Sequence, residues 1–344
     1  MEDESLSDGI PLPKPLLLVA TVFVTCLLAL TDNSKWLKNP LLAKIGVMSY
    51  SIFIWHQVIL AYYRYSISGE LSVSFILWNV LLTVVISIAS FYFIEKRIVV
   101  SRNAIIGWAI AAILLIIPSG WIYMHAGVVR DVPELGIDKN NVHKGMFAEY
   151  CDRIYQYDKD FVSDDSKIKV LVEGISFGRD FGNVLLESEY VDQIELSYIF
   201  AWEQNDYSKR IKEADVICTF SDKDFVPQYV WNGKKPDTKI YGIGTKNFGG
   251  CLGCIFVHRN DEDYFKKTIR PINGYFQLNK IWKEKWGENY IDFMKPVDMG
   301  NGTVKVFTPD HFYISADGGH LTQAGAKWYA RVLDLDKVFN SIRK

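Results

Sequence analysis

The sequence predicts a membrane α-helical segment of about four spans followed by an α/β domain whose parallel sheet is flanked by helices. Three observations carry that prediction. Before Gly127 the 344-residue chain is dominated by long apolar runs with few charges. After Val129 short apolar runs alternate with polar, helix-compatible stretches, the pattern of strands and crossover helices. The first of those runs ends in Lys169-Val-Leu-Val-Glu-Gly174-Ile-Ser176, an apolar strand closed by Gly-x-Ser and opening into a helix. The domain boundaries implied are 1–127 for the spans, 128–164 for a linker with an entry helix, and 165–344 for the α/β domain.

The apolar runs of the first part cover residues 16–30, 45–63, 71–94 and 104–124. A bilayer core takes about 20 apolar residues of helix. The third and fourth runs fit that length, the first is short, and the second carries His56 and Gln57. Lys35, Lys38 and Lys44 fill one short loop, and Lys96, Arg97 and Arg102 another, whereas the amino terminus holds Glu2, Asp3, Glu4 and Asp8. Basic loops stay in the cytoplasm, so the amino terminus and everything beyond Gly127 are expected outside. No charged stretch followed by a cleavage site precedes the first run, so no signal peptide is read there. An outside amino terminus of this kind suits the tail of a longer chain.

Two residues at membrane depth draw attention. His56 is a functional candidate because an ionisable side chain in a span is costly, with a hydrogen bond to a neighbouring helix as the structural alternative. Glu95, at the end of the third run, is a second candidate, with a local interfacial ion pair to Lys96 or Arg97 as the easy explanation.

In the second part, strands are predicted at 168–172, 193–198, 215–220, 239–243 and, more weakly patterned, 304–307, with helices over 146–157 and 326–332. Parallel sheets gather ligands at the carboxyl ends of their strands, and three loops at that edge carry chemistry. Ser176 follows the first strand and is either a nucleophile or the cap of the next helix. Asn247 lies in the glycine-rich Gly242-Ile-Gly-Thr-Lys-Asn-Phe-Gly249, where an amide can donate to a developing oxyanion. Asp317-Gly-Gly-His320 precedes the last long helix, a spacing that lets the carboxylate orient the ring as a base. His258 and His311 compete as bases, but neither has a comparably placed acid together with a following helix.

Net charge −2 and the lack of a basic stripe argue against nucleic-acid binding. Five cysteines are too few for a disulfide framework. Cys251 and Cys254 have metal or redox spacing, but no second ligand pair accompanies them. A zinc site is disfavoured, a local disulfide is open outside the cytoplasm, and two unpaired residues are expected. No metal or bound cofactor is expected.

The order of the three loops resembles the SGNH (GDSL-type) hydrolase family. The resemblance implies Ser176 as nucleophile, Asp317 and His320 as acid and base, and Asn247 with the Ser176 N–H as oxyanion hole. The membrane part resembles the last helices of the acyltransferase-3 family of sugar O-acyltransferases, through Ile45-Gly46, Ser49-Tyr50-Ser51 to Trp55-His56, and Phe93-Ile-Glu95-Lys96. Some bacterial members carry an SGNH domain after an extra helix. Ile175 stands where the hydrolase family has aspartate, Cys218-Thr-Phe-Ser221 lacks that family's glycine donor, and the early Arg/His helices of the acyltransferase family are missing. The implied protein is a bacterial inner-membrane enzyme with its α/β domain extracytoplasmic. It would transfer an acyl group, in the first instance acetyl, from acyl-CoA to a surface glycan, and a separate membrane acyltransferase subunit could supply the missing helices. A membrane-anchored glycan esterase is the alternative, and an inactive glycan-binding remnant the third reading.

Overall fold

The structure is a computed structural model; it describes residues 39–67, 72–97, 102–125, 130–140, 146–162, 166–202 and 207–340, together with Phe23. The chain divides into two compact units, Met1–Leu60 with Val73–Ile98 and Ala61–Ser72 with Val99–Lys344.

Among the described residues, four α-helices precede the α/β part. Asn39 caps α1 (Pro40–Val47) through its side chain, which accepts from Leu41 N at 2.9 Å, with Pro40 in the first turn where its missing N–H costs nothing. α2 covers Ser49–Ser66, α3 Val73–Phe93 and α4 Arg102–Met124. Two helices among the described residues are long and apolar enough to cross a membrane, Val73–Phe93 and Asn103–Met124. They correspond to the third and fourth predicted spans, and they present Trp78 and Leu115 outward as a lipid-facing helix does.

The count of four spans is corrected. The second run is not one straight helix: α1 and α2 meet at Met48 with a 61° bend, so this pair adds at most one broken span. A run of apolar residues registers hydropathy and is blind to a bend of this kind. The first run, 16–30, lies outside the described residues apart from Phe23.

The second unit contains a five-stranded sheet in the order β2-β1-β3-β4-β6 and a two-stranded sheet, β5-β7. The strands are β1 (Ile168–Glu173), β2 (Ile194–Ile199), β3 (Val216–Thr219), β4 (Lys239–Ile243), β5 (Thr268–Ile269), β6 (Tyr290–Ile291) and β7 (Val304–Lys305). All pairs of the larger sheet are parallel, with Val170 opposite Leu196 on one side and Val216 on the other. The helices around it are α5 (Met146–Asp152), α6 (Ser176–Leu186), α7 (Ser208–Glu213), α8 (Gln228–Gly233), α9 (Leu252–Phe256), α10 (Tyr275–Trp286), α11 (Gln323–Val332) and α12 (Asp336–Phe339).

Both faces of the sheet are covered. Val170 and Val172 point into a core with Phe181, Val184, Phe293 and Tyr329, while Leu171 between them packs with Ile199, Ile217 and Trp282. This alternation along the apolar run 170–172 is what a two-sided parallel sheet demands. The first four predicted strands are found. The fifth is not as expected: Val304–Lys305 pairs antiparallel with Thr268–Ile269, and the fifth strand of the main sheet is Tyr290–Ile291. Two residues are too few to register as an apolar run.

The strand order sets the position of the site. From β1 the chain crosses to β2 on one side and then to β3 on the other, so the carboxyl ends of β1 and β3 flank a switch point, where open α/β sheets form their crevice.

Candidate active site

Ser176 stands at that switch point. β1 ends at Glu173, and Gly174 turns the chain with φ +133°, a conformation for which L side chains are poorly suited. A Cβ on Gly174 would lie 2.7 Å from the Phe220 Cβ at the end of β3. One on Gly178 would lie 2.6 Å from the Glu173 carbonyl, so the missing side chain lets α6 sit directly on the strand end. Tyr198 donates to the Gly174 carbonyl at 2.7 Å and braces the turn from β2. Ile175 occupies the cap position and is exposed, and Ser176 is the first helical residue, so the serine is not the cap. At the helix start its N–H has no acceptor within the helix, and the helix dipole lends its oxygen positive potential.

The residue before the turn, Glu173, is buried beside Thr219, whose hydroxyl donates to its carboxyl. Burial pushes this carboxyl up to about 7, against the lowering effect of the hydrogen bonds from Thr219, the Phe220 backbone and Trp202. Below the ordinary carboxylate range both folded and unfolded states hold the proton. As pH rises to 7 the unfolded chain loses it first, so stability falls across that window and stays lower above it. Glu173→Gln keeps an acceptor for Thr219 without the charge. It is expected to raise stability by about 3 kcal/mol above pH 7 and to leave it unchanged near pH 4.5. Thermal melts of the full chain at pH 4.5 and 8 check this.

Asp317 and His320 form a tight unit. Asp317 Oδ2 lies 2.6 Å from His320 Nδ1, and Oδ1 accepts from the backbone N–H groups of Gly319 and His320, each at 2.8 Å. Burial alone would raise this carboxyl; the side-chain and backbone bonds from His320 and Gly319 outweigh it and hold Asp317 well below the usual carboxylate range. An ionised acceptor at Nδ1 makes that nitrogen the N–H donor and leaves Nε2 as the free base position.

Asn247 is buried, and its Oδ1 accepts from Gly249 N and Ile272 N, both at 2.9 Å. Two N–H donors on one oxygen fix the amide orientation and leave Nδ2 as the donor. The Asn247 and His320 loops are interlocked through Phe248 N, which donates to the Gly318 carbonyl at 2.7 Å. A cavity of about 650 Å³ opens beside Asp317 and His320, with Arg179, Tyr150, Trp328 and Arg331 in its lining.

The other histidines sit in different settings. His311 stacks on Phe265 at 4.0 Å. His258 lies 3.2 Å from Asp261, three residues on, where the loop folds back over one turn. That carboxylate is shared with Lys267 at 3.0 Å.

In the other unit, Nδ1 of His56 faces the Ile52 carbonyl at 3.1 Å, one turn back in its own helix, rather than a neighbouring helix. Glu95 accepts a hydrogen bond from Ser51 of α2, a pairing the expected local ion pair did not anticipate. Lys96 instead lies over the Tyr92 ring.

The cysteine expectation is corrected. Cys251 and Cys254 are joined in a disulfide, since Cys251 caps the one-turn helix α9 and three residues of helix bring the two within bonding range. Among the described residues no cluster of metal-ligating side chains occurs.

Sequence reasoning missed Asp180 and Lys246, which form an ion pair at 2.8 Å with both side chains 1% exposed. The available signal was a carboxylate one helical turn after Ser176, on a face otherwise filled by Phe181 and Val184.

Fold and site together define an α/β domain that carries a serine at the start of a helix, with a carboxylate-oriented histidine and an amide donor on interlocked loops. No protein-family model matches this chain, and no curated protein matches it. Among solved structures, the periplasmic domain of the lipopolysaccharide acetyltransferase of Salmonella ser. Paratyphi A is similar at 16% identity, with a TM-score of 0.37, over 58% of this chain and 98% of that one.

Proposed function

We propose that this chain is a membrane-anchored O-acyltransferase, of the acyltransferase-3 type fused to an SGNH-like domain, that uses Ser176 to pass an acyl group, acetyl in the first instance, to a surface glycan. The observation that carries the reading is the Asp317–His320 pair at 2.6 Å, with Nε2 left free, on a loop bonded to the helix that Ser176 begins through Leu321 N and Asp180. In this reading Ser176 Oγ attacks the acyl carbonyl and gives its proton to His320 Nε2. The oxyanion is held by Asn247 Nδ2 and the Ser176 N–H, and collapse expels the carrier, which takes the proton from His320. A sugar hydroxyl then loses its proton to His320 and attacks the acyl-serine, and Ser176 recovers its proton as the ester leaves.

The acyl group would start on cytoplasmic acyl-CoA and cross through the membrane helices, with a separate membrane acyltransferase subunit as a partner in that step. The α/β domain would face outside at the bacterial inner membrane, where the glycan is. The cavity beside His320 suits the acceptor sugar, with Trp328 as an apolar platform and Arg179 and Arg331 as donors. A second reading, hydrolysis, is favoured by the exposure of the His320 side chain, 38%, which lets water reach the same base.

Ser176→Ala in the full chain is the test. Fluorophosphonate labelling and acetylation of the glycan are both expected to fall to background, on the order of 10⁶-fold for turnover. Undiminished glycan acetylation overturns the reading. Rapid release of free acetate without added glycan selects the esterase.

A further inference from the structure

The buried pair Asp180–Lys246 has no role in the chemistry above, and its contacts are unusually placed. Asp180 lies one turn beyond Ser176 on α6. Its Oδ2 accepts from Leu321 N at 3.0 Å and lies 2.8 Å from Lys246 Nζ. Leu321 directly follows His320, and Lys246 directly precedes Asn247. The Lys246 ammonium also sits 3.6 Å from the centre of the Phe177 ring, next to Ser176, and Phe177 in turn stacks on Phe220 at the end of β3. A single carboxylate oxygen therefore touches the neighbour of the base and the neighbour of the amide donor, while its own helix begins with the nucleophile.

We propose that Asp180 is a positioning residue that holds the Ser176 helix, the His320 loop and the Asn247 loop in one frame, with Lys246 as its counter-ion. The inference rests on the reading of Ser176, His320 and Asn247 given above. Energetics favour placement over stabilisation as the role. Taking two ions fully out of water is costly, and a packed apolar pair of similar volume is often as stable or more so. Burial pushes the Lys246 ammonium down from its usual value, and the Asp180 carboxylate opposes that fall. What an apolar pair could not supply is a directional acceptor for the Leu321 N–H. A misplacement of about 1 Å between reacting groups costs about 10²-fold in rate.

The test uses the full chain in lipid nanodiscs, with a chromogenic acetyl ester and with hydrogen exchange followed on the peptide containing Leu321. Asp180→Ala is expected to speed Leu321 exchange by about tenfold. It is expected to lower kcat by about 10²-fold with KM within about twofold of the parent. Asp180→Asn, which keeps an oxygen for Leu321 N–H, is expected to restore the exchange protection and most of kcat. A merely structural residue would lower the melting temperature and leave kcat of the folded fraction unchanged. If Asp180→Ala does not fold, Lys246→Met carries the test, with the same split between kcat and KM expected. Unchanged Leu321 exchange in Asp180→Ala, or faster exchange with unchanged kcat, overturns the proposal. Ester turnover in Ser176→Ala equal to the parent, or no turnover in the parent, is a failure of the Ser176 reading instead, and the exchange result then decides the placement by itself.

Discussion

Asp317→Asn is expected to lower turnover by about 10⁴-fold, and to do more damage than Asp317→Ala. The reason lies in how the carboxylate is held. Oδ1 accepts from two backbone N–H groups, of Gly319 and His320, while only Oδ2 faces the ring. An asparagine must keep its oxygen on the backbone side, because its NH₂ group cannot accept from N–H donors. The NH₂ group then faces Nδ1 of His320 and donates to it. Nδ1 becomes an acceptor, the ring proton moves to Nε2, and the nitrogen aimed away from Asp317 can no longer take a proton from serine. Alanine leaves room for water, which accepts from Nδ1–H and preserves the useful tautomer. His320→Ala removes the base itself and should match or exceed the Asn variant. Single-turnover acetylation of Ser176 by an activated acetyl ester checks the order His320→Ala, Asp317→Asn, Asp317→Ala, from most to least damaged. Because Asp317 is held well below the usual carboxylate range, its own titration contributes no limb to the rate profile near neutral pH.

Much of this was legible in the residues, for identifiable reasons. Strands such as Ile168–Glu173 and Ile194–Ile199 announce themselves through their apolar residues, because most positions on both of their faces are buried. The Asp317–His320 contact was legible because the two residues are three apart, so it is nearly local. The edge strand Tyr290–Ile291 was not, since two residues carry no period, and the Val304 run misled because burial alone does not say with which strand a segment pairs. The 61° break at Met48 left no hydropathy trace. The Asp180–Lys246 pair was hidden for a different reason. Its members are far apart in the chain, so only the fold makes them buried partners.

The interlock of the two site loops depends on one glycine, and Gly318→Ala is expected to be among the most damaging single-methyl changes in the chain. Gly318 has φ +86°, and a Cβ there would lie 1.9 Å from the Gly249 carbonyl oxygen. That atom is backbone and cannot swing aside as a side chain does. Gly249 is itself fixed, with φ +76° and its N–H donating to Asn247 Oδ1. The added methyl must push the two loops apart, breaking the bond from Phe248 N to Gly318 O and the bond from Gly318 N to Ser315 Oγ. A cost of at least about 3 kcal/mol is expected, together with loss of activity because Asp317 and Asn247 lie on either side of the contact. Gly300→Ala separates the two causes. Gly300 also has positive φ, +74°, but nothing lies within 4 Å of its Cβ position. It therefore pays only the conformational term, about 1 kcal/mol, and should keep full activity. Equal melting losses for the two variants would mean that backbone conformation, and not the contact between the loops, sets the cost at Gly318.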